Sequence, residues 1–240
     1  MSQLKGSKFL TLLDKRREAA FRSLGTLSPH VISRLVPGAV PWPNSALGKF
    51  RHIRRETDEI LITDGLSDPY DSELHAAPPS GPCDFELCLP VASDHPSASD
   101  EENFASSIWP KLLYPLADAI VEDWIDVRGL LEKFGAITLQ AAIGRGFGHG
   151  FEKEGLVGYL LGMPLDGDNF DRQRYVNGFY EGLPVPYSNA AIGIFPVKVL
   201  KPTELAWAMA QGNDGAMLLA REFVRREKGC RNDDRLAPLH

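Results

Sequence analysis

The sequence predicts an α+β protein: a mixed, largely antiparallel sheet flanked by helices, with an N-terminal helical extension. Three observations lead there. Short β-type runs recur along the chain, one long segment between them has helical apolar spacing, and the regular strand–helix–strand beat of a doubly wound sheet is missing. With 240 residues, of which 43% are hydrophobic, the chain can bury a substantial core.

Residues 7–24 open the chain with Phe9, Leu10, Leu13, Ala20, Phe21 and Leu24 at helical spacing, flanked by Lys8, Lys15, Arg16, Arg17 and Arg22 and stopped by Gly25. LSPHVISRLVPGAVPWPNS follows, and Pro37, Pro41 and Pro43 make it read as an extended connector. Strands are expected at EILIT (59–63), CDFELCLPV (83–91), AITLQAAI (136–143), LVGYLLGM (156–163) and AIGIFPVKVL (191–200). In the second, Phe85, Leu87 and Leu89 share one face with Cys83, while Asp84 and Glu86 share the other, which predicts one packed face and one more polar face. Pro196 has no N–H for a ladder and suggests an edge or bulge for the last strand.

SIWPKLLYPLADAIVEDW carries Trp109, Leu112, Leu113, Leu116, Ala117, Ile120, Val121 and Trp124 at helical spacing and should cover the sheet. Pro110 suits the first turn, whereas Pro115 would kink a helix interior and moves the expected start of regular helix to about Tyr114. Two further helices are expected, one capped at Thr203 and stopped at Gly212, the other running from Asp214 to Gly229. The organisation predicted is a basic helix and Pro-rich connector over 1–45, a main domain over 46–229, and a frayed tail over 230–240.

Charge is unevenly divided. Residues 1–55 hold 11 Lys and Arg against 2 acids, and the rest holds 15 against 30, giving a head of +9 and a body of −15 within a net −6. The nearest acidic surface for the head is the protein's own body. No apolar run long enough to span a bilayer and no secretory signal is evident, which points to a cytoplasmic protein. Use of the head against that body leaves no nucleic-acid partner expected, the alternative being membrane or nucleic-acid attachment through residues 1–24. Three cysteines, Cys83, Cys88 and Cys230, are too few for a disulfide framework, and a spacing of five puts the first two on opposite strand faces.

Several motifs approach known chemistry and stop short. GLSDP (65–69) resembles a nucleophile elbow around Ser67, but Pro69 replaces the last glycine and a loop follows instead of a helix. DGDNFD (166–171) departs from a calcium loop at Phe170, Asp171 and Asn177. The six histidines, His30, His52, His75, His95, His149 and His240, show no metal-ligand spacing. GRGFGHG (144–150), with Arg145 and His149, is followed by a charged stretch and another strand. It lacks the helix N-terminus that a phosphate loop requires and reads as a long hairpin loop.

In order and spacing, ITDGLSDPYD (62–71), PSGPCDFELCLPV (79–91), WPKLLYPLADAI (109–120), IGIFPVKVLKPTEL (192–205) and QGNDGAMLL (211–219) resemble the suppressor of fused domain family across about residues 48–225. The resemblance implies an α+β domain with no cofactor and no known chemistry. In animals the family's founding member grips an extended peptide of a transcription factor between this domain and a second one. Single domains of this type in bacteria have been proposed as immunity proteins that neutralise toxins, and this chain resembles that type. The basic N-terminal helix, the glycine-rich hairpin and Phe134-Gly135-Ala136, where the family often has Gly-Asp before the third strand, depart from the pattern.

The expectation is a non-enzymatic protein-binding domain whose partner is a basic toxin domain or peptide. Candidate contact residues are Asp64, Ser67 and Asp68 of the GLSD turn, Asp84 and Glu86 of the strand, and Arg145 and His149 of the glycine loop. The alternative is a small hydrolase using Ser67, or a phosphate-binding enzyme using the Gly144–Gly150 loop.

Overall fold

Alternating apolar runs build one mixed sheet, and helices cover both of its faces. The computed structural model describes residues 7–34, 42–43, 47–68, 83–92, 101–143, 150–166, 174–177, 179–181, 191–226 and 229–232. Helix α1 (Ser7–Arg22) leads into strands β1 (Thr26–Ser33), β2 (Lys49–Arg54), β3 (Asp58–Thr63) and β4 (Phe85–Ala92). Helices α2 (Glu101–Ser106), α3 (Ile108–Glu122) and α4 (Val127–Phe134) precede β5 (Ile137–Ala142), β6 (Glu152–Lys153), β7 (Leu156–Leu161), β8 (Arg174–Val176) and β9 (Ile192–Leu200). Helices α5 (Pro202–Ala210) and α6 (Gly215–Arg225) close the order. The sheet runs β1-β2-β3-β4-β9-β7-β5, with β6 on β7 and β8 on β9. Every pairing is antiparallel except β4 with β9. This is the α+β class with an N-terminal helix that the sequence predicts.

The two faces form two cores. Phe50, Leu61, Phe85, Leu87, Leu89, Tyr159 and Phe195 face α2, α3 and α4, whereas Ile53, Ile60, Ile62, Cys88, Leu160 and Ile194 pack with side chains of α1, α5 and α6. The expectation of a more polar face on β4 is therefore corrected: seven of its eight positions are buried, because helices cover both sides. Cys83 and Cys88 fall in opposite cores, as their spacing predicts, and all three cysteines are buried thiols outside any disulfide.

Residues 27–33, expected as connector, belong to β1 and pair with β2. The register is interrupted between Leu27 and Val31, where Pro29 sits. Trp42, in the same expected connector, is buried in the main core and donates from Nε1 to Asp118 at 3.0 Å. β2, the short β6 and β8, and helices α2 and α4 go beyond the elements read from the sequence.

Helix α3 runs unbroken through Pro115, contrary to the later start expected. An interior proline costs about 3 kcal/mol, and each fully buried large apolar side chain returns about 1.5–3 kcal/mol. Trp109, Leu112, Leu113, Leu116, Ile120 and Val121 are all buried, so packing wins. At α5 the expected Thr203 cap is replaced by Lys201, whose N–H donates to the Glu204 carboxylate at 2.8 Å with Pro202 at the first helical position.

Pro196 does not mark an edge. β9 is central, and its proline falls at a seam: β8 ends opposite Ile194, β7 begins opposite Val197, and the β4 ladder stops at Cys88 opposite Pro196. Asn232 fills the space where β4 and β9 part. Its Nδ2 donates to Pro90 O at 2.9 Å and Val197 O at 3.0 Å, its Oδ1 accepts from Val199 N at 2.8 Å, and its backbone bridges Pro90 and Ala92. The tail expected to fray is thus built in as far as Asn232, which is 1% exposed.

Asn232→Ala takes the side-chain partners from the buried Val199 N–H and Val197 carbonyl, while Pro90 O keeps the backbone N–H of residue 232. It should lower the unfolding free energy by about 2–4 kcal/mol in urea melts; a change below about 0.5 kcal/mol would show that the plug is dispensable.

Candidate functional site

A cation in the middle of an apolar stripe organises the polar centre of the molecule. In α1, Leu13, Arg17, Ala20 and Phe21 share the buried face, continued by Leu24 in the turn that follows, and Arg17 is 2% exposed. Its Nε donates to Asp64 Oδ1 at 2.8 Å, Nη2 to Asp14 Oδ1 at 2.5 Å, and Nη1 to Asp68 and, at 3.4 Å, to Ser67 Oγ. A side chain that reads as part of a basic surface is turned inward.

Beneath it lies Glu86, fully buried on β4. The turn after β3 folds around this carboxylate. Gly65 N and Ser67 N donate to Oε1 at 3.1 and 3.0 Å, Leu66 N donates to Oε2 at 3.2 Å, Ser67 Oγ reaches Oε1 at 2.6 Å, and Thr63 Oγ1 reaches Oε2 at 2.6 Å. Three consecutive backbone N–H groups make an anion nest, which Gly65 permits by taking φ of +125°. Thr63 Oγ1 itself accepts from Leu87 N at 2.8 Å, and Ser67 Oγ from Arg17 at 3.4 Å. Tyr180 closes the set by donating to Ser67 O at 3.0 Å.

Burial is the largest influence on Glu86 and lifts its carboxyl from 4.5 to about 7, against the pull of Arg17, Ser67 and Thr63. Burial also raises Asp68, opposed by Arg17. Desolvation works against the charge on Arg17, yet Asp68, Asp64 and Glu86 outweigh it and raise its pKa. The Tyr180 phenol is pushed well up by burial and by the neighbouring carboxylates of Glu86 and Asp84.

Of the residues singled out in the sequence, Asp64, Ser67, Asp68 and Glu86 come together here. Ser67 and Glu86 are fully buried, and Asp68 is 8% exposed. Asp84 belongs to a neighbouring cluster, where Arg128 Nε donates to its carboxylate at 2.9 Å and the guanidinium lies over the Tyr175 ring. Burial raises Asp84 while Arg128 opposes. Arg145 and His149 lie outside the described residues, as does most of the DGDNFD segment. Around them, β5 and β7 pair as the predicted hairpin, with a further turn back through β6 at Glu154 and Gly155, whose φ angles are 57° and 83°. Arg17, Thr63 and Tyr180 are the members that sequence reasoning missed. For Arg17 the signal was available, because it occupies an apolar-stripe position.

The basic head is used internally at several points. Arg51 pairs with Glu18, Arg34 with Asp118, and Arg55 with Asp58 and Asp166, while Arg16 donates to the carbonyls of Phe179 and Glu181. Among the described residues, no group of three or more His, Cys, Asp and Glu is disposed to hold a metal ion, and no helix is long and apolar enough to cross a membrane.

A second feature is a bare sheet edge. Ile143 N donates to Gly155 O at 2.8 Å, so with the alternation of an antiparallel ladder Ile137, Leu139 and Ala141 exchange bonds with β7. Thr138, Gln140 and Ala142 then aim their N–H and C=O groups away from β7, on the side where, among the described residues, β5 has no neighbouring strand. Gln140 and Ala142 are exposed, and ITLQAA contains no charge and no proline. The opposite edge, β1, carries Pro29 and a register break.

No family model, no curated protein and no solved structure matches this chain.

The cluster makes stability depend on pH with a definite sign. Because Glu86 holds its proton to about 7 when folded and to 4.5 otherwise, its contribution is fully present below 4.5 and is lost as pH rises through 7. Urea melts at about pH 5 and pH 8 should show that loss in the wild type and a flatter dependence in Glu86→Gln; equal slopes would refute the assignment. Arg17→Met strands buried carboxylates and should cost about 3–5 kcal/mol in the same melts.

Proposed function

We propose that this protein is a non-enzymatic binding domain of the single-domain suppressor of fused type, which captures a basic protein partner in the manner of a toxin-neutralising immunity protein. The observation that carries this reading is the uncharged edge of β5, which is unpaired among the described residues. An open edge with a row of outward backbone groups suits an extended segment of another chain, which adds as a further strand. Backbone pairing supplies affinity there, and side chains of the added strand supply selectivity.

Charge supports the basic character of the partner. The body beyond residue 55 carries −15 by sequence, which attracts a cationic protein and speeds its encounter. The resemblance over residues 48–225 agrees with protein binding and calls for no cofactor. The placement of Ser67 weighs against the hydrolase alternative: its hydroxyl is fully buried and already donates to Glu86, so it is not available to attack a substrate.

Co-expression with candidate basic partners, followed by affinity capture, tests the reading. The wild type should retain a basic protein at about 50 mM salt and lose most of it near 0.5 M. Gln140→Pro, which removes one outward N–H while sparing the β7 ladder, should lower recovery at least about tenfold with the melting temperature preserved. Equal recovery by the proline variant would overturn the β5 site. Absence of any captured protein at low salt would overturn the binding function.

A further inference from the structure

We propose that the free protein pairs with a second copy of itself through β5, so that partner capture and self-association compete for one edge. The inference rests on the reading of β5 as a docking edge, and it commits that edge to a specific occupant in the unliganded protein.

The argument is one of self-complementarity. Two β5 strands related by a two-fold axis at Gln140 lie antiparallel, with Thr138 opposite Ala142 of the second copy and Gln140 opposite its own counterpart. These are the outward-facing positions, so each N–H and C=O along the row meets its complement without a gap. An axis at Leu139 would leave Ala142 of both copies outside the outward-facing pairs formed within the strand. The register centred on Gln140 therefore satisfies more of the edge.

Charge permits the contact. The chain carries −6 overall, so two copies repel at long range, yet Ile137–Ala142 contains no ionisable side chain. Two acidic molecules can meet along this strand without placing like charges opposite one another. At the other edge, Pro29 and the register break between Leu27 and Val31 disturb the continuous ladder that such pairing needs. One short strand gives a small interface, which places the dimer in the weak, reversible class. Dilution or a strand-donating partner would then open it.

Sedimentation of the purified full chain without partner, over about 5–200 µM, should follow a monomer–dimer equilibrium in the wild type, as a weak interface requires. Gln140→Lys and Gln140→Glu each set like charges face to face at the two-fold axis and should be monomeric alone. Mixed in equal amounts, they should recover the dimer, because Lys then faces Glu. Gln140 is exposed, so both variants should melt within about 2 °C of the wild type.

A wild type that stays monomeric throughout the range overturns the proposal, as does a mixture no more dimeric than its components. Dimers in either variant alone would place the contact elsewhere. The partner reading is judged separately, by capture with dilute, monomeric protein. If dilute protein captures a partner but concentrated protein never dimerises, only this inference fails; if it dimerises but captures nothing, only the partner reading fails.

Discussion

The buried carboxylate of Glu86 is the constraint on which much of the remaining structure turns. A carboxylate removed from water costs several kcal/mol unless donors replace its hydration. Glu86 obtains them from one short turn, with three backbone N–H groups and two hydroxyls converging on its oxygens. That requirement fixes the path of residues 63–67 after β3 and sets the turn against β4. Asp64 and Asp68, on the same turn, make a negative centre that a cation must balance. Arg17 supplies the charge, and to do so α1 has to lie over this part of the sheet. One acidic side chain thus couples an N-terminal helix, a turn and a central strand that are far apart in sequence.

The same coupling explains why GLSD and FEL stand out together. Considered singly, Ser67 suggests a nucleophile and Glu86 a polar surface contact. In the folded chain they hydrogen-bond each other at 2.6 Å, and both are sealed from solvent. A motif pair that closes on itself serves the fold first. In this fold the pair is accordingly architectural, with neither hydroxyl nor carboxyl exposed.

Much of the architecture was legible because period-two and helical patterns are local. EILIT, FELCLPV, ITLQAA, LVGYLL and IGIFPVKVL all form strands, and residues 7–22 form the first helix. What escaped depended on tertiary partners. β2, KFRHIR, is too charged to announce a strand, but Arg51 is neutralised by Glu18 and His52 stacks on Phe104. β1 is broken by Pro29 and becomes a strand only against β2. Pro196 is tolerated centrally because Asn232, 36 positions onward in the sequence, bonds Val197 and Val199 beside it. The candidate site divided in the same way: its acids were visible as motifs, whereas their burial depended on a helix whose basic residues suggested a surface role.

The two ends of the sheet then differ in a way that bears on function. A protein that must avoid edge pairing interrupts its outer strands, and β1 has such interruptions. β5 has neither proline nor charge, although substituting a lysine at exposed Gln140 would protect it at little cost to packing. The unprotected edge also lies away from the Glu86 cluster, which no exposed residue of β5 joins. Binding at β5 therefore need not disturb the charge balance that holds α1, the turn and β4 together. The fold keeps its costly polar groups inside, where they set its shape, and leaves its least charged backbone outside, where pairing with another strand requires little desolvation of charge.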